Sequence, residues 1–196
     1  MNQQLNELLL EALETERGGV GVYKTALRCA INKDLKEEWE EYLDQTKLHV
    51  EILDELFEKF GLDPEQESPG RKVVSHIGDA LVLAMEMAIE KGNPELAEIA
   101  ACECVVLAET KDHANWELLA LYAEKAKGEE AQALKEACEA IEHQEDEHLY
   151  HSKGWCRELW IDSLGLRAVL PPPEERKEVK TAIGAARAQQ SRNKMR

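Results

Sequence analysis

The sequence predicts an all-α protein, with four long helices paired as two antiparallel hairpins. A further helix lies in the connection between the hairpins, and a tail follows at the C-terminus. Three observations predict this class. Strand signals are almost absent, with aromatic residues at only 5% of the 196 positions and no sustained polar–apolar alternation. Apolar residues recur at three- and four-residue spacing through most of the chain. Glycine, proline and asparagine interrupt that periodicity at a few well-separated places.

The first helix, A, is expected from about Gln4 to Ile31. It ends at Asn32-Lys33-Asp34, a turn whose aspartate is placed to cap the next helix. Helix B follows from about Leu35 to Phe60 and stops at Gly61, and two prolines lie in the loop to Gly70. The additional helix covers about Lys72 to Lys91 and ends at Gly92-Asn93. Pro94 then suits the first turn of helix C, which runs to about Lys127. Gly128 separates it from helix D, about Glu129 to Leu164, and Gly165 with Pro171-Pro172-Pro173 closes the bundle. Short turns make A/B and C/D hairpins, and the long middle connection carries the chain across between them. Residues 1–165 are thus the expected bundle, and 166–196 a proline-containing basic tail.

The net charge of −16 argues against a nucleic-acid or anionic-membrane partner for the body. Residues 171–196 carry seven Lys/Arg against three acids, so the tail is +4 and the remainder −20. No apolar run approaches the roughly 18 residues of a membrane span. The acidic, amphipathic start MNQQLNELLLEALETE is unlike a signal peptide, and a cytoplasmic location is the expectation. The five cysteines, Cys29, Cys102, Cys104, Cys138 and Cys156, include no CxxC pair, which fits reduced thiols rather than a zinc ribbon or rubredoxin-type site.

Function is legible where the apolar seams turn polar. Helix A reads Leu9, Leu13, Glu16, Val20, Tyr23, Leu27, and helix B reads Trp39, Tyr42, Thr46, His49, Leu53, Leu56, Phe60. Helix C reads Ile99, Cys102, Val106, Glu109, His113, Trp116, Ala120, with Asp112 beside it. Helix D reads Leu134, Cys138, Ile141, Glu145, His148, Ser152, Trp155, Leu159. Each seam is polar near its middle. Burying Glu16, Glu109 and Glu145 unpaired costs several kcal/mol each, and a divalent cation removes that cost. Glu145-x-x-His148 sets two donors one turn apart on one helical face. Metal ligation by these mid-seam residues is therefore expected over a purely structural buried polar network.

The two halves also repeat one pattern. Glu16 precedes Tyr23 by seven residues, and Glu109 precedes Trp116 by seven. Gln45-Thr46-Lys47-Leu48-His49 aligns with Gln144-Glu145-Asp146-Glu147-His148, and the glutamate-to-histidine intervals are 33 and 39 residues. These residues resemble the ferritin-like superfamily of dimetal-carboxylate proteins, bacterioferritin, rubrerythrin and relatives, and in particular the small bacterial stress-associated ferritin-like proteins. That design takes one glutamate from each of two helices and Glu-x-x-His from each of the other two. Glu16, Glu109 and Glu145-x-x-His148 fit those roles and His49 fits the histidine of the first Glu-x-x-His, so the resemblance implies Glu16, His49, Glu109, Glu145 and His148 as metal ligands. The resemblance implies a ferritin-like four-helix bundle over about residues 5–163. It further implies iron as cofactor, as a di-iron or single-metal site with manganese or zinc as alternatives, and oxygen or peroxide chemistry in a stress response. A homo-oligomer is implied, a dimer being favoured, with a separate protein as electron donor because the chain has no rubredoxin-like CxxC pairs.

One departure stands out. Thr46 occupies the position of the first Glu-x-x-His glutamate, so a bridging carboxylate is missing, and Asp112 or His113 is placed to compensate. That departure keeps a second reading open, a non-catalytic scaffold with a single-metal or empty site that acts through partners. Tyr23 and Trp116 are core aromatics or hydrogen-bond a ligand. His151 is expected near the ligands or on the surface, and His76 and His143 at the surface or in helix packing.

Overall fold

The computed structural model describes residues 2–167, and among these it contains five helices and no strand. They are α1 (Gln3–Cys29), α2 (Lys33–Phe60), α3 (Pro69–Glu90), α4 (Pro94–Lys125) and α5 (Glu129–Ser163). Among the described residues no helix is long and apolar enough to cross a membrane. The expected basic tail beyond Arg167 lies outside the described residues.

Local chemistry explains where the helices differ from their expected limits. Asn32, rather than Asp34, caps α2: its side chain accepts from the N–H groups of Asp34 and Leu35. The backbone is still extended at Asn32, so Asp34 already lies inside the first turn. α1 stops at Cys29 because the next backbone donors are taken elsewhere. The N–H groups of Ile31 and Asn32 reach the buried carboxylate of Glu98 on α4 at 2.7 and 2.6 Å. α3 begins earlier than its apolar pattern, since Ser68 caps Arg71 and Pro69 sits in the first turn, where its missing N–H costs nothing. Gly61 ends α2 in the left-handed conformation (φ 64°).

α1 packs against α2 and α4, α4 packs against α5, and α5 packs against α2, so these four helices close a ring. α3 lies outside the ring, across α1 and α4. Its approach to α1 depends on two glycines: a Cβ at Gly78 would stand 3.5 Å from the Cα of Gly18. The five helices bury two apolar clusters. One contains Leu9, Leu13, Leu53, Phe57, Leu119 and Ile141, and the other Val22, Leu35, Trp39, Met85, Val105 and Trp155. Each fully buried side chain of this kind contributes about 1.5–3 kcal/mol. All five cysteines are free, four of them buried. Burial pushes the Cys102 thiol up, which keeps it protonated.

Candidate metal centre

The five predicted ligands come together between the apolar clusters, each at most 4% exposed: Glu16 on α1, His49 on α2, Glu109 on α4, and Glu145 and His148 on α5. Nδ1 of His49 lies 3.2 Å from Glu16 Oε1 and 3.1 Å from Glu145 Oε1. Nδ1 of His148 lies 3.6 Å from Glu109 Oε2 and 3.8 Å from Glu145 Oε1. The imidazoles stack with centroids 5.7 Å apart. Glu145 is the shared member, since ligand atoms of Glu16, His49 and Glu145 converge within 4.8 Å, as do those of Glu109, Asp112 and Glu145.

Asp112 is thus the carboxylate that joins the centre, 6% exposed. His113 points elsewhere, with Nε2 2.9 Å from Asp146 Oδ1. The seam of α4 therefore runs through Val105, Glu109, Asp112 and Trp116, one residue away from the Val106 and His113 of the expected seam. Val105 is fully buried and Val106 only half-buried.

The internal repeat becomes a set of crossed hydrogen bonds. Tyr23 on α1 donates to Glu109 at 2.7 Å, while Trp116 on α4 donates from Nε1 to Glu16 at 2.8 Å. The outer nitrogens of the histidines are held in the same reciprocal way. Nε2 of His148 meets Oε1 of Gln45 at 2.7 Å, and Nε2 of His49 meets Oε1 of Gln144 at 2.7 Å. An amide oxygen only accepts, so each Nε2 carries the proton and each Nδ1 faces the carboxylates. The two glutamines are the residues whose role the sequence alignment displays but does not by itself disclose.

Thr46 is buried, and its hydroxyl donates to the Tyr42 carbonyl at 2.8 Å rather than entering the centre. Its methyl faces Gly19, where an added Cβ would stand 3.3 Å away. His151 is buried beside Tyr42, whose hydroxyl lies 2.7 Å from its Nδ1. The same hydroxyl donates to Glu38 at 2.9 Å, and the Tyr42 ring packs 4.3 Å from that of His148. His76 and His143 are exposed, as expected.

Six buried polar atoms at this one place make no well-aligned hydrogen bond among the described residues: Glu16 Oε2, His49 Nδ1, Glu109 Oε2, Asp112 Oδ1 and both oxygens of Glu145, with His49 Nδ1 and Glu145 Oε1 meeting only as the 3.1 Å ion pair. Buried polar groups are nearly always satisfied, and six failures around one point fit a cation. The titration pattern follows the geometry. Burial opposes the imidazolium of His49, but the carboxylates of Glu145 and Glu16 outweigh it and push His49 up to about 11. Burial pushes Asp112 well up, helped by Glu16, Glu145 and Glu109. Burial likewise raises Glu145, against the pull of His49.

Comparison with known proteins finds no match: not among family models, curated proteins or solved structures. The geometry therefore carries the functional argument alone.

Proposed function

We propose that this chain is a ferritin-like metal-binding protein whose buried centre holds one or two divalent cations. The observation that supports it most is the convergence, from four helices, of six buried ligand atoms that lack a well-aligned hydrogen bond. Charge supports the capacity for two. Glu16, Glu109, Asp112 and Glu145 supply four negative charges when ionised, which two divalent ions with neutral histidines balance, whereas one ion leaves two buried charges uncompensated. Mixed carboxylate and imidazole donors suit iron, with manganese and zinc as alternatives. A bound redox-active ion of this kind would supply the electrons for reaction with dioxygen or peroxide.

The chain's own residues do the rest. The glutamines fix the imidazoles, Tyr23 and Trp116 fix one oxygen each of Glu109 and Glu16, and the flanking apolar clusters exclude water. A stress-response role, a cytoplasmic setting, a separate electron donor and a homodimer belong to the same proposal. Exposed Val73, Ile77, Leu83 and Met87, grouped on one face of α3, favour the oligomer. The alternative, a non-catalytic scaffold with a single-metal or empty site, draws its support from Thr46, whose oxygen is committed to the backbone.

The test is metal analysis of protein from iron-replete cells, with absorbance followed on admitting oxygen. Roughly one to two ions per chain are expected, with an oxygen-dependent change for the redox reading and none for the scaffold. No metal, and no loss of stability on chelation, would overturn metal binding itself.

The same reading fixes the sign of the pH dependence. Without metal, His49 holds a proton at neutral pH, which an incoming cation must displace. Apparent affinity should therefore rise with pH between 6 and 8, by about tenfold per unit for each proton released. Calorimetry in buffers of differing ionisation enthalpy should register that release. For the metal-free protein, the ion pairs of His49 stabilise fully below its unfolded value near 6.5. That stability is lost as pH rises through about 11.

Gln144→Leu should weaken cation binding by about 10- to 100-fold, by freeing the His49 ring to choose the wrong tautomer. Gln45→Leu should act likewise through His148. Equal titration curves for these variants and the native chain would show that the glutamines do not orient ligands.

A further inference from the structure

A cavity of about 630 Å³ opens between α4 and α5. Its outer lining includes the exposed residues Glu117, Glu139 and Glu142, and its inner lining includes Glu145. Glu145 is 2% exposed and its Oε2 has no hydrogen-bond partner among the described residues, so the cavity leads inward from solvent to the residue that bears the shared carboxylate of the centre. His113 and Asp146, 2.9 Å apart and half-buried, line it as well. Among the described residues the only Lys or Arg in this lining is Lys135, which pairs with Glu139 at 3.6 Å. The other side of the ring is different. There a space of only about 30 Å³ lies between α1, α3 and α4, walled by Gly18, Val22 and Ile77, with Glu14 and the Glu11-paired Lys111 at its edge.

We propose that the α4/α5 groove is the path by which a hydrated divalent cation reaches the centre. The exposed carboxylates concentrate the cation at the mouth, and low-dielectric walls focus their field along the groove. His113 and Asp146 then offer a nitrogen and an oxygen in place of shed waters before the ion meets Glu145. This inference rests on the metal-binding reading, but it concerns rate rather than capacity.

Cobalt(II), followed by its absorbance in a stopped-flow instrument, separates the two. The triple variant E117Q/E139Q/E142Q should load about five- to tenfold more slowly than the native chain at low ionic strength. Its rate should also depend less on salt, while the final number of ions per chain stays the same. The matched variant E37Q/E40Q/E51Q removes three exposed carboxylates from α2 and should load at the native rate. Equal rates for the two variants, whether both native or both slowed, would overturn the groove as the path. A native chain that takes up no cobalt would overturn the metal-binding reading beneath it.

Discussion

Glu145→Gln is expected to abolish tight cation binding, with affinity falling by about two orders of magnitude or more, beyond the range typical of outer-shell changes. Glu145 is the one residue that belongs to both groups of converging ligand atoms, so neither half of the centre survives its loss. The amide keeps the side chain's volume and removes only the charge. In the metal-free protein that charge is itself unfavourable, because burial and the neighbouring Glu16 and Glu109 raise the Glu145 carboxyl against the pull of His49. The variant without metal should therefore melt within about 1 kcal/mol of the native chain, the two effects roughly cancelling. The contrast is clearest in thermal melts at saturating metal. The native chain gains about 2.7 kcal/mol when the free ion is at 100 times its Kd, and Glu145→Gln should gain almost nothing. Glu51→Gln, exposed on α2, should behave as the native chain. A variant at Glu145 that still gained native stabilisation would remove the shared carboxylate from the centre.

The parts of this centre legible in the sequence are those where periodicity is unambiguous. α2 and α5 each bury one stripe, so Thr46 and His49, and Glu145 and His148, fall on the seam at the three-residue spacing that about 3.6 residues per turn keeps on one face. α4 is the helix where the reading slipped by one residue. It packs against α1, α3 and α5 and still exposes Leu107, Leu118 and Leu121, so apolar residues surround much of its circumference and no single stripe stands out. The periodicity consequently points to Val106 and His113 where the structure buries Val105 and Asp112. The helix ends depended on contacts that no local pattern contains: the Glu98 carboxylate that ends α1 comes from a different helix, 67 positions away from Ile31. The crossed glutamine–histidine pairs were likewise hidden. The alignment set Gln45 beside Gln144, but only the antiparallel meeting of α2 and α5 brings each to the opposite histidine.

The asymmetry at Thr46 leads to the second large effect. Within the repeat, Thr46 corresponds to Glu145, and Gly19, three residues after Glu16, corresponds to Asp112, three residues after Glu109. One half thus pairs a threonine methyl with a glycine, and the other half brings two carboxylates together. The total of four is what the ring holds, and Asp112 supplies the one that position 46 lacks. Thr46→Glu should therefore add a fifth carboxylate to a site whose buried polar atoms are already short of well-aligned hydrogen bonds. In chelator, this variant should lose about 3–5 kcal/mol of stability, the cost of an uncompensated buried charge. Saturating divalent metal should restore much of it. The double variant T46E/D112N returns the count to four by shifting a carboxylate between halves, and it should recover a large part of the loss in chelator. The two substitutions share partners, so their effects should be clearly non-additive. Additive losses, or a Thr46→Glu chain as stable in chelator as the native one, would mean that positions 46 and 112 do not face a common centre.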